Sequence, residues 1–132
     1  MKTLIPVLLI VISKGVVGQI PGKEYTKWVR KAEIFYHRHD YKGSALAYSL
    51  AFKTFGWRGY EMDRYNAACS WALASVPDSA FANLQRIANK TSYSNVDEIT
   101  NDKDFAGIHG DPRWMPLIDK IRKNKEKEGE KK

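Results

Sequence analysis

From Tyr25 to Ala88 apolar side chains recur at steps of three and four, and nowhere do they alternate with polar ones. That is the period of a helix, not of a strand, and it confines the chain to an all-α fold. Tyr25, Trp28, Val29, Ala32, Phe35 and Tyr36 form one stripe, which the polar "HRHD" interrupts. Tyr41 opens a second segment, and Ala45, Tyr48, Ala51, Phe52 and Phe55 carry its stripe up to Gly56, a suitable helix stop. Beyond the connector "GWRG" a third helix is expected over 60–74, with Tyr65, Ala68, Cys69 and Ala72 inward. Ser75-Val76-Pro77-Asp78 then turns the chain into a fourth helix carrying Ala80, Phe81, Leu84, Ile87 and Ala88.

The two helix pairs correspond. Ala32, Phe35, Tyr41, Tyr48 and Ala51 of the first align with Ala68, Trp71, Pro77, Leu84 and Ile87 of the second, always 36 positions apart. A small residue in the first helix of each pair lets the second helix close against it, and an aromatic one turn later fills the space beside it. The run "NAACSWALA" thus reads as a packing surface. Cys69 is the chain's one cysteine, so no internal disulfide is possible, and its apolar neighbours mark it as a small hydrophobe.

"YNAACSWALASVPDSAFANLQRIA", followed by "DKDFAGIHGDPRWMPLIDKI", resembles the terminal unit of tetratricopeptide-repeat proteins. Asp102, Asp104 and Phe105 match the family's Asp-x-Asp-Phe segment, and Asp111, Pro112, Arg113 and Trp114 its Asp-Pro-Arg-aromatic helix start. Ser44 stands where the family usually has Ala, and Lys31 where a Leu is common. The likeness covers roughly residues 25–124. It implies an α-solenoid of about two helix–turn–helix repeats closed by a C-terminal capping helix. A cap is physically required, because a stack of helix pairs leaves its last apolar face open. Phe105, Ile108, Trp114, Met115, Leu117, Ile118 and Ile121 are the residues expected to cover it, with Asp111 as N-cap and Pro112 at the first helical position. The resemblance also implies a concave groove for a protein or peptide partner. Its groove-facing positions would be Val29, Glu33, Tyr36 and His37 in the first repeat, and Met62, Tyr65, Cys69 and Ala72 in the second.

Both ends of the chain stand apart. "MKTLIPVLLIVISKGVVG" has a basic start, a short apolar centre and a small-residue ending, the pattern of an export signal. Its apolar stretch is too short to span a bilayer, which takes roughly 17–25 residues. Cleavage after Gly18 is expected, placing the mature chain in the periplasm or outside the cell. The signal's loss removes Lys2 and Lys14 and lowers the formal charge from +7 to +5. The last fourteen residues hold seven basic and four acidic groups, and residues 125–132 are expected to form a disordered charged tail. Such a tail offers a weak handle for an anionic envelope surface, whereas nucleic acid is excluded as a partner by the expected location.

The domain assignment is therefore 1–18 export signal, 19–124 helical domain and 125–132 tail. No nucleophile elbow, His-Glu-x-x-His, phosphate loop or cofactor motif occurs, and no enzyme activity is expected. His37, His39 and His109 are the alternative, as a metal or small-ligand set. Two imidazoles two positions apart on a helix point in different directions, so helix-end polarity is the simpler account. The acids Asp97, Glu98, Asp102 and Asp104 lack calcium-loop spacing and are expected to act as caps and turn formers. The function that these readings favour is an exported, non-catalytic scaffold that binds a protein or peptide in the bacterial envelope.

Overall fold

The computed structural model describes residues 20–132. The expected export signal and its cleavage point lie outside the described residues. Every regular element among those described is helical: α1 (Lys23–His37), α2 (Tyr41–Thr54), α3 (Glu61–Leu73), α4 (Pro77–Arg86), α5 (Val96–Asn101) and α6 (Trp114–Glu130). One wide turn, Ile87–Thr91, follows α4, and a 3₁₀ segment, Lys103–Ile108, follows α5. The fold is all-α.

Packing around α3 explains its run of small residues. Ala67 is fully buried against the first helix pair, among Tyr25, Ala32, Tyr48, Ala51 and Phe52. Ala68 and Cys69 are buried on the other side, among Phe81, Leu84, Ile87, Phe105 and Ile121. Successive residues on α3 therefore serve two cores, and side chains larger than alanine would hold the helices apart. Ser44 and Ser70, both fully buried, meet across the α2–α3 contact with their hydroxyls 2.8 Å apart, each supplying the other's partner.

Both inter-helix turns within the pairs have the same hydrogen bonds. After α1, the His39 N–H donates to the Tyr36 carbonyl and the Asp40 N–H to that of Phe35. After α3, the Ser75 N–H donates to Ala72 and the Val76 N–H to Trp71, each partner 36 positions on. These are Schellman ends, in which one left-handed residue reverses the chain. Asp40 then caps α2 through the Gly43 N–H at 2.9 Å, and Pro77 stands at the start of α4.

The C-terminal half departs from expectation at four places. Regular α-helix stops at Arg86, and the chain widens over Ile87–Thr91 while Ile87 and Ala88 stay buried. Asp111 accepts from the Arg113 N–H but lies ahead of the helix, which begins at Trp114; Pro112 belongs to that preceding turn. Met115 is 59% exposed and lies outside the core, whereas Phe105, Ile108, Trp114, Leu117, Ile118 and Ile121 are buried in it. Finally, α6 continues to Glu130, so the stretch expected to be a disordered tail is helical up to its last two residues. Lys and Glu are good helix formers, and Glu128 accepts a hydrogen bond from Ser94 at 2.6 Å.

Candidate functional site

A cavity of about 470 Å³ opens between α1, α3 and the segment that follows α5. Glu33, Tyr36 and His37 of α1 form one wall, Met62, Tyr65, Asn66 and Cys69 of α3 another, and Tyr48 of α2 contributes from below. Glu98, Asp102 and Asp104 close the far side. The helical period accounts for the first two walls: steps of three and four set each group on one face of its helix.

Tyrosine hydroxyls hold the acids in place. Tyr36 donates to Asp104 Oδ2 at 2.6 Å and Tyr65 to Asp102 Oδ2 at 2.7 Å. Tyr93 donates to Glu98 Oε2 at 2.5 Å, and outside the cavity Tyr25 donates to Asp63 at 2.6 Å. Burial first, and the hydrogen-bonded carboxylate second, push Tyr36, Tyr65 and Tyr93 well above the ordinary tyrosine pKa. Asp102 also uses Oδ1 to accept the Asp104 N–H at 3.0 Å, which caps the 3₁₀ segment. Phe105, one residue further on, is fully buried with its ring edge-on to Tyr65 and its centroid 5.4 Å away. The acidic wall is thereby anchored to the hydrophobic core.

Of the residues expected to face a groove, Glu33, Tyr36, His37, Met62, Tyr65 and Cys69 line this cavity. Val29 does not: it lines a shallower cleft of about 290 Å³ with Tyr25, Arg30, Tyr60 and Asp63, because it lies one turn nearer the start of α1. Ala72 packs against the second core instead. Tyr48, Asn66 and the acids Glu98, Asp102 and Asp104 were not foreseen as walls. Asp102 and Asp104 stood out only as caps and as part of a terminal motif, and their approach to α1 spans 68 positions in the Tyr36–Asp104 pair.

The three histidines form no ligand set among the described residues. His37 faces the cavity, His39 Nδ1 lies 3.1 Å from the Tyr41 hydroxyl, and the His109 ring lies tilted against Trp114 with centroids 4.4 Å apart. Ligating atoms gather instead at Cys69, Asp102 and Asp104, all within 4.8 Å of one another. The two carboxylates each accept from a tyrosine hydroxyl, and the Cys69 thiol lies 3.8 Å from Asp102 Oδ2. Burial, and then the charges of Asp102 and Asp104, push the Cys69 thiol far up, so it stays protonated and a poor nucleophile or ligand. The cavity lining is suited to holding a cation: four carboxylates and several aromatic faces, with the His37 imidazole as the one basic side chain among them.

Comparison with protein-family models, with curated proteins and with solved structures finds no match for this chain.

Proposed function

We propose that this protein is an exported, non-catalytic adaptor of tetratricopeptide-like build, which holds a segment of another protein in the cavity between α1 and α3. The segment presents a Lys or Arg side chain. One observation carries the reading: in a chain of formal charge +7, the cavity concentrates Glu33, Glu98, Asp102 and Asp104. A local field opposite in sign to the whole molecule selects a cationic group and steers its approach. Guanidinium or ammonium donors have the Asp102 and Asp104 carboxylates to pair with, and the half-buried Tyr36 ring to lie against. Because the tyrosines and the core hold these carboxylates, little ordering is left to the moment of binding. Residues 1–18 direct export in this proposal, and N-terminal sequencing of the exported protein should begin at Gln19.

The test is selection of random peptides on the full chain. Selected sequences should share a Lys or Arg at one position. Changing Asp102→Asn and Asp104→Asn together should weaken them by tenfold or more, since hydrogen bonds to charged groups contribute about 1.5–3 kcal/mol. A melting curve checks that the variant stays folded. Selected peptides without a cation, or undiminished binding to a folded variant, would refute the proposal.

A further inference from the structure

A second cleft, of about 330 Å³, shares no lining residue with the acidic cavity and has the opposite character. Arg58, Arg64, Arg86 and Lys90 surround it, with Phe55 in its wall. Two of the guanidiniums are held by aromatic faces: Arg58 lies 4.3 Å from the Phe55 ring centre and Arg64 3.7 Å from that of Phe52. Arg64 also donates to Asn83 Oδ1 at 2.9 Å and to the Trp57 carbonyl, while its buried Nε has no acceptor. Among the described residues Arg64, Arg86 and Lys90 join no salt bridge. Burial and the like charge of Arg86 lower the Arg64 pKa to about 10. Arg64, Arg86 and Lys90 thus bring positive charge together, and no carboxylate lines the cleft. Glu61 comes near only by accepting a hydrogen bond from Thr91 at the rim.

The connector that supplies Arg58 also presents Trp57, 58% exposed. Trp57 has φ +63°, directly after Gly56 at φ +63°, a conformation a bulky residue rarely adopts. Its N–H donates to the Phe52 carbonyl at 2.7 Å and its carbonyl accepts from Arg64, so the backbone is fixed at both ends while the indole faces solvent. An indole held outward beside clustered cations matches a membrane–water interface, where Trp settles at headgroup depth and Lys and Arg pair with anionic lipid.

We propose that the Gly56–Gly59 connector and the basic cleft beside it dock on an anionic lipid bilayer, with Trp57 entering the headgroup layer and Arg86 and Lys90 facing lipid phosphates. This surface is separate from the acidic cavity, so a peptide and a membrane can be held at once.

The test uses the full chain and phosphatidylcholine vesicles with or without phosphatidylglycerol, some carrying brominated acyl chains that quench nearby tryptophan. Binding should require phosphatidylglycerol, and most of the quenching should vanish in Trp57→Phe. A double change at exposed positions, Arg86→Glu with Lys90→Glu, should weaken binding at least tenfold in a protein that a melting curve shows to be folded. Equal binding to neutral vesicles would overturn the proposal. So would quenching unaltered in Trp57→Phe, which would mean that residues 1–19 or the lysines of α6 make the contact. Soluble glycerol phosphate bound as tightly as the vesicles would make the cleft a small-anion site, and that too would overturn it.

Discussion

Ser75 and His39 hold equivalent positions in the two Schellman turns, and both have left-handed backbones, at φ +61° and +63°. A residue with a Cβ pays roughly 1–2 kcal/mol in that region, whereas glycine does not. Ser75 is exposed and its side chain makes no hydrogen bond among the described residues, so Ser75→Gly should stabilise the protein by about 1 kcal/mol. A urea midpoint that rises at constant slope would register it. The turn at 75–78 is readable in the sequence from Pro77 and Asp78, but the left-handed residue is not, because serine carries no preference for it. Cys69 was readable: its neighbours mark it as apolar, and the structure leaves it 4% exposed beside Asp102. Its thiol should resist a disulfide reagent in the native protein and react at the ordinary rate once denaturant unfolds the chain.

Connections between elements depend on close approaches that single residues allow. A Cβ on Gly59 would lie 2.5 Å from the Phe52 ring, a fully packed side chain. Gly59→Ala should therefore destabilise by about 1–3 kcal/mol, the usual cost of overpacking, measured by thermal or urea unfolding. The end of α4 depends on α6 in a similar way. Asn124, 6% exposed, donates to the Ala88 carbonyl at 2.8 Å and to the Tyr93 carbonyl at 2.9 Å. It thereby satisfies carbonyls around the wide turn that the regular helix leaves behind. Asn124→Leu strands both acceptors in an apolar setting and should cost about 1–3 kcal/mol. Hydrogen exchange should show the Ile87–Thr91 turn opening first in that variant. Helix existence and stripes were legible from Tyr25 to Ala88, since burial enforces the period locally, whereas the short α5 (Val96–Asn101) was not expected. The wide turn, the late start of α6 and its extension to Glu130 were not, because contacts between distant segments decide them.

At the scale of the molecule, α3 joins two cores, so the described domain should unfold in one cooperative transition. Five half-buried or buried tyrosines, at positions 25, 36, 48, 65 and 93, have raised pKa values in the folded state, with desolvation the largest cause for each. A raised folded pKa contributes stability that is complete below the unfolded value and is lost as pH climbs toward the folded one. Stability should therefore hold up to about pH 10, the ordinary tyrosine value, and fall steeply above it. Denaturation midpoints between pH 8 and 11, followed alongside tyrosinate absorbance, would test this; midpoints that do not decline above pH 10 would contradict it. The sequence by itself determined the helical class, the inward residues of α1 to α4 and the 36-residue correspondence, because each is a local demand of burying one face of a helix. The tetratricopeptide resemblance also pointed to Glu33, Tyr36, His37, Met62 and Tyr65, which line the cavity, and to Val29, which does not. Only the tertiary structure decided that Asp102, Asp104 and Glu98 meet those residues and make the cavity acidic. It likewise decided that Arg58, Arg64, Arg86 and Lys90 gather beside an exposed Trp57. Charge at a site is a sum over chain segments far apart in sequence, and their meeting is set by how the helices pack.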